Sequence, residues 1–324
     1  MTSLKEIKAP IKNEMETFES HFRQSMKTKV PLLNVVLNYL LRRKGKQMRP
    51  MFVFLTSKMF GEINDSSYTA ASLIELLHTA TLIHDDVVDE SYKRRDYFSI
   101  NALWKSKVSV LVGDYLLSKG LLLSVENKEF ELLEIVSDAV KQMSEGELLQ
   151  IKKSRKIFID ESEYFKIISK KTASLIAACT ACGTRSISTD PALIEKMKSF
   201  GEKVGLAFQI KDDLLDYQKL AKIGKPTGND IKEKKVTLPL IYALQNAGPA
   251  EAKSMKKLFG KSKKKHEDVQ KVIDFVETHS GIGGAQQKMN ELKEEAIQLL
   301  KEFPQNKSSE SLIKLVNFTT QRKK

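Results

Sequence analysis

From about Ser66 through Asp89 the chain is apolar on nearly every side, with Leu73, Ile74, Leu76, Leu77, Ala80, Leu82, Ile83, Val87 and Val88 spread around the helical wheel. A helix of that kind offers no face to water and belongs in the middle of a large domain. The same holds for Lys107 to Leu123 and for Val204 to Leu215. Buried helices need others to cover them. Those are expected over residues 1–41, where Pro31 opens PLLNVVLNYLL, and at Arg49–Phe60, Phe130–Leu149, Glu161–Cys182, Pro191–Phe200, Leu238–Asn246, His266–Glu277 and Gly284–Phe303. No run alternates convincingly as a strand would. With 15 Gly and 8 Pro in 324 residues, breakers are scarce, which favours long helices and short connections. The pattern predicts an all-α chain, a single domain over residues 1–324 built from about a dozen helices.

Two acidic clusters interrupt these apolar helices. TLIHDDVVDE holds Asp85, Asp86 and Asp89, and AFQIKDDLLDY holds Asp212, Asp213 and Asp216. A helix turns about 100° per residue, so Asp85 and Asp89 share a face with His78. Gly205, Gln209, Asp212 and Asp216 line up in the same way. Carboxylates this close repel one another, and in apolar surroundings they do not stay ionised without cations. Two such clusters call for several hard divalent ions. Mg²⁺ suits them because it takes carboxylates, waters and phosphate oxygens together.

The net charge of +13 asks for an anionic partner. A nucleic-acid reader would interleave aromatics with its basic residues, and the densest basic run, Lys261 to Lys265, has none, so it reads as a solvated loop. Lys46 and Arg49 precede a helix, and Arg94 and Arg95 follow the first acidic cluster. Lys171 and Thr172 lie within a helix, and Lys225 and Lys235 follow the second cluster. Together they offer a metal-free phosphate site beside a metal-bound one, and the planar fork of Arg binds phosphate oxygens in pairs. There is no Walker sequence, which speaks against nucleotide hydrolysis. Cys179 and Cys182 form C-x-x-C without the strand or further ligands of a redox or zinc site, so they read as small residues in close helix packing. No apolar run approaches the roughly 20 residues of a bilayer span. The N-terminus lacks the apolar core of a secretory signal, and a cytoplasmic location is expected.

At these residues the sequence resembles the trans-isoprenyl diphosphate synthases, or polyprenyl synthetases. The likeness runs through GKQMRP, LLHTATLIHDDVVDESYKRR, KTA, FQIKDDLLDY and KVTLP, in family order over about two hundred residues. It implies the isoprenoid synthase fold, helices around a deep central cavity, and an enzyme that condenses isopentenyl diphosphate with an allylic diphosphate. Asp85, Asp89 and Asp212 would ligate about three Mg²⁺ ions, assisted by Asp86, Asp213 and Asp216. Arg94, Lys171, Gln209 and Lys225 would hold the allylic diphosphate, and Lys46, Arg49, His78 and Arg95 would hold isopentenyl diphosphate. Thr172 and Gln209 would stabilise the allylic cation, and Lys235 would join the phosphate-binding set. The released diphosphate would take the final proton, leaving His84 a structural role. A homodimer and a transient membrane contact for product release are also implied.

One stretch departs from the family, which follows its paired arginines with Gly-x-Pro. Here RRDYFSIN places Asp96 and Phe98 at those positions, so the loop would close differently and Asp96 is set to pair with an arginine. In the family the fifth residue before the first aspartate helps floor the product pocket, and a large aromatic there stops growth early. That position is Ala80, beside Thr81, and neither blocks; growth would stop deeper, at Ile74, Leu77 or near Leu116. A product of hexaprenyl to octaprenyl length is expected. The rivals are a farnesyl or geranylgeranyl synthase, and a non-catalytic helical partner subunit, which would be expected to lose the aspartates kept here.

Overall fold

The computed structural model describes residues 3–42, 45–94, 97–154, 159–217 and 228–322. Among them the helices, in chain order, are α1 (Leu4–Lys8), α2 (Lys12–Ser25), α3 (Pro31–Leu41), α4 (Met48–Phe60), α5 (Asp65–Val88), α6 (Ile100–Glu126), α7 (Phe130–Ser154) and α8 (Glu161–Ile168). A π turn, Ser169–Ala173, leads into α9 (Ser174–Arg185). Beyond it lie α10 (Pro191–Asp216), α11 (Asn229–Lys232), α12 (Leu238–Asn246), α13 (Pro249–Phe259), α14 (His266–Thr278), α15 (Gly281–Lys301) and α16 (Lys307–Gln321). The one ladder described is a two-residue hairpin in which Lys93 faces Phe98 and Arg94 faces Tyr97.

Local chemistry sets the ends of the long helices. Asn64 accepts from the Ser67 amide and Ser67 answers at the Asn64 amide, a reciprocal cap that starts α5. Asp190 accepts from the Ala192 amide at 2.9 Å ahead of Pro191, which is preset for a first helical turn. The main core joins Phe18, Phe52, Phe54, Leu73, Ile74 and Phe200. A second cluster around Tyr164, Ile210, Leu214, Tyr217 and Leu238 lies beneath the end of α10, and a third joins α3, α5 and α6 around Leu37, Ala80, Val112 and Leu116.

Helix α9 is the pivot. Its buried residues are mostly small, and a Cβ on Gly183 would stand 2.5 Å from the Val53 carbonyl oxygen, so α4 approaches at backbone distance. Both α5 and α10 pack on α9, which brings the two acid-bearing helices into one structure. Cys179 and Cys182 are buried here as packing residues, and burial pushes the Cys179 thiol up to about 12, far from a reactive thiolate.

The structure amends several expectations. Pro191–Phe200 and Val204–Leu215 are one continuous helix, because Gly201 packs against α9 instead of breaking the chain. The stretch expected as one helix from Glu161 is interrupted by the π turn. Helices α13 and α16 were not among those expected, although each is amphipathic and buries one side, through Met255 and Phe259 on α13 and Leu312, Leu315 and Val316 on α16. Helix α6 is not buried all round: Leu103, Val110, Leu111, Leu121, Leu122 and Val125 are exposed along one side. By length and composition α6 is also apolar enough to cross a membrane, although the sequence showed no uninterrupted run of that length. It nevertheless packs extensively on α5 within the helical domain.

Candidate active site

Both acidic clusters fall at helix C-termini. The last turn of α5 carries Asp85, half-buried, and Asp86, buried, with Asp89 exposed at the cap. Helix α10 ends with Asp212, half-buried, Asp213, 1% exposed, and Asp216. The helix dipole already places partial negative charge at such ends, so six more carboxylates make both of them cation-seeking. The Glu233 carboxyl is raised by burial and by Asp230, opposed by Lys235, with Asp89 and Asp216 each adding to the rise. His78 is buried higher on α5. His84 sits against α6, its Nε2 3.3 Å from the Val110 carbonyl and 3.4 Å from Asp114, where Gly113 leaves room for the ring. That is the structural role expected of it.

The three aspartates of α10 differ in employment. Asp212 pairs with Arg322, which follows α16 and lies 4.2 Å over the Phe208 ring. Asp213 turns inward, where it accepts from the Tyr164 hydroxyl at 2.6 Å and the Gln209 amide at 2.9 Å, with Lys235 Nζ at 3.6 Å. Burial raises the Asp213 carboxyl, and Lys235 opposes that rise. Lys235 also donates to Asp230 at 3.2 Å; burial pulls its ammonium down, but Asp213 and Asp230 outweigh burial and hold it charged. Asp216 accepts from the amides of Asn229 at 3.1 Å and Asp230 at 3.0 Å, clasping α11 to the end of α10. Gln209, expected in line with Asp212 and Asp216, gives its amide to Asp213, one turn on.

Lys171 and Thr172 ride on the π turn, and two glycines make room for it. A Cβ on Gly146 of α7 would meet the Lys171 backbone nitrogen at 2.6 Å, and one on Gly205 of α10 would meet the Ala173 Cα at 2.5 Å. The wider turn rotates its residues relative to α8 and α9, as single π turns at functional sites do. Thr172 donates to the Gln209 carbonyl at 2.8 Å. Lys171 Nζ lies 2.5 Å from Glu147 and 3.3 Å from Gln150, both on α7. At the start of α4, Lys46 is exposed, with its ammonium 5.1 Å over Phe318, and Arg49 is half-buried in the first turn. Arg49 acts electrostatically on Cys179, which places it at the junction of α4 and α9. Arg95, Asp96 and Lys225 lie outside the described residues, and Arg94 is described through its backbone in the hairpin. Phe98 ends that hairpin exposed, and its carbonyl accepts from Tyr39 at 2.7 Å.

The donors are hard oxygens spread over two helix ends. Among the described residues no three His, Cys, Asp or Glu side chains converge on one point. Such a set suits ions that each take one or two carboxylates and complete their shells with phosphate and water, which is the habit of Mg²⁺.

The polyprenyl synthetase family profile matches residues 30–276. The chain belongs to the polyprenyl synthetase family. It is 32% identical over 321 residues to the octaprenyl diphosphate synthase of Escherichia coli (strain K12), with 99% of each chain covered. A decaprenyl diphosphate synthase from Rhodobacter capsulatus superposes with a TM-score of 0.93 at 30% identity, covering 99% of this chain and 100% of that one. A polyprenyl synthase from Caulobacter crescentus CB15, complexed with calcium and isoprenyl diphosphate, gives 0.90 at 31% identity over 99% and 98%. The isoprenoid synthase fold expected from the motifs is therefore the fold found.

Within that family frame, Tyr164, Glu233 and Arg322 are site residues the sequence analysis missed. Tyr164 and Arg322 lie 49 and 110 residues from the aspartates they meet, and nothing local marks them. For Glu147 and Gln150 a signal existed: a glycine inside a helix, Gly146, costs about 1 kcal/mol and asks for a close neighbour.

Proposed function

We propose that this chain condenses isopentenyl diphosphate with an allylic diphosphate, by ionisation, condensation and elimination, to build a long-chain all-trans polyprenyl diphosphate. The observation that carries it is the pair of acidic helix ends, on α5 and α10, that both pack on α9. Mg²⁺ held by Asp85, Asp89 and Asp212 would supply positive charge to stabilise the departing diphosphate. Lys171 exchanges Glu147 and Gln150 for phosphate oxygens of the allylic substrate, joined by Arg94 and Lys225. Lys46, Arg49, His78 and Arg95 hold the second diphosphate, setting its double bond at reacting distance. Because the Thr172 hydrogen is given to Gln209, the Thr172 oxygen keeps its lone pairs for the allylic cation. His84 is fixed against α6, so the proton lost in the last step goes to the released diphosphate. Asp213 and Asp216 position Gln209, Lys235 and α11, and Asp86 supports the end of α5.

The exposed apolar side of α6 supports a homodimer, because contiguous apolar surface on a helix favours a partner over water. A cytoplasmic location with transient membrane contact at product release completes the proposal.

The test is incorporation of labelled isopentenyl diphosphate onto farnesyl diphosphate with Mg²⁺, with products sized by chromatography. Extended products that vanish with chelator are expected. Asp85→Ala should lower turnover by about 10²–10³-fold or more with an unchanged fold, since it removes a ligand for charge developing in the transition state. Near-normal turnover in that variant would sink the metal assignment.

A further inference from the structure

Asp213 stands almost out of reach of solvent, and its oxygens are met by Tyr164, Gln209 and Lys235. A carboxylate only accepts, so it fixes the direction of every hydrogen bond linked to it. Gln209 must present its NH₂ to Asp213, which turns its carbonyl to the other side. That carbonyl only accepts, so Thr172 must donate to it. The orientation of Asp213 is thus passed through one amide to the hydroxyl beside the reacting carbons.

What holds Asp213 in that orientation is Tyr164. Lys235 is shared with Asp230, and Gln209 is the residue being oriented, so the short phenol bond to Oδ2 is the contact that pins the carboxylate. The ring itself is held in the second core cluster, edge-on to Phe165 at 5.4 Å, so its hydroxyl is aimed at Asp213. Without the hydroxyl, Asp213 is free to swing toward Lys235, and the Gln209 amide loses the acceptor that fixes it.

We infer that Tyr164 is a positioning residue of the condensation, acting through Asp213 and Gln209 on Thr172; this rests on the function proposed above. Tyr164→Phe should lower kcat by about 10- to 100-fold, the scale of small misplacements at a reacting centre. KM for isopentenyl diphosphate should stay within about two-fold, because Lys46 and Arg49 lie elsewhere. A structural role would instead lower the melting temperature and disturb both parameters.

The deciding experiment is a double-mutant cycle in the full-length protein. In an Asp213→Asn background, adding Tyr164→Phe should change kcat by less than about two-fold, since two residues acting as a unit are non-additive. A second measurement does not depend on turnover: with 3-fluorotyrosine at position 164, the ¹⁹F resonance should shift on Asp213→Asn. Wild-type-like kcat in Tyr164→Phe, a full independent loss in the Asp213→Asn background, or an unmoved ¹⁹F signal would each overturn the inference while leaving the proposed function standing. Absence of prenyl transfer by the wild-type enzyme would overturn both.

Discussion

Arg322 shows how much one side chain changes the meaning of a motif. Asp212 belongs to the aspartates that would take the metal, yet here it is met by a guanidinium that also lies on the Phe208 ring. A cation ligating Asp212 must displace or share that guanidinium. Asp212 is 42% exposed, so solvent screens the pair and its contribution is about 0–1 kcal/mol. Arg322→Ala is therefore expected to lower the half-saturating Mg²⁺ by about two- to five-fold, read by calorimetry of Mg²⁺ with inorganic pyrophosphate. An unchanged or higher requirement would show that Arg322 does not compete for Asp212. Nothing local in the sequence marks Arg322, and the packing of α16 on α10 is what places it at the site.

At the scale of the element, α6 is the helix whose character the sequence misjudged. Its apolar residues cover the whole wheel, which predicts burial, but one side stays exposed because none of the described residues covers it. It also bends: Lys105, at φ 67 and ψ 169, leaves the helical region inside the element. That conformation is nearly restricted to glycine and costs a side-chain-bearing residue about 1–3 kcal/mol. The bend lets Trp104 meet Tyr39 edge-on at 5.1 Å, close to the hairpin that follows the first acidic cluster. Lys105→Gly should raise unfolding stability by about 1 kcal/mol, after the added freedom of glycine in the unfolded chain is set against the relieved strain. A urea midpoint that falls would mean that Lys105 holds the bend through its side chain. The π turn was equally missed: an inserted residue shifts the apolar phase by about 100°, but α8 is short and α9 is buried nearly all round, so the shift does not show. It exists where Gly146 and Gly205 admit its backbone.

On the scale of the whole molecule, product length is a question of what lies along α5 below the aspartates. Ala80 is fully buried in the cluster shared by α3, α5 and α6, with Leu116 in the same group. Thr81 gives its hydroxyl to the His78 carbonyl at 2.9 Å, so its polarity is already satisfied. Leu77 faces α6, where a Cβ on Gly120 would come within 3.3 Å of it, and it lies with Ile74 in the main core cluster. Of the deeper stops expected, Leu77 thus sits where α5 meets α6, and Leu116 lies in the cluster that holds Ala80. Ala80 lies about 7.5 Å along the helix axis from Asp85, roughly the depth at which a short product would meet an added ring. Ala80→Phe should shift the products to farnesyl or geranylgeranyl length while isopentenyl diphosphate is still consumed, as chromatography of labelled products would show. An unchanged long product from a folded, active variant would remove Ala80 from the pocket wall.

The helical class and the places where cations must gather were legible in the residues alone. Apolar periodicity and carboxylate spacing are local properties, and i, i+4 geometry fixes which acids share a face. The motifs stood in order there too, and with them the family. Packing was needed to settle which aspartate faces out to Arg322, which is locked inward by Tyr164 and which clasps α11. Those assignments depend on partners from about a dozen to more than a hundred residues away, brought to the end of α10 by packing. Three like carboxylates on adjacent turns of one helix are nearly equivalent until distant hydrogen-bond donors and cations distinguish them.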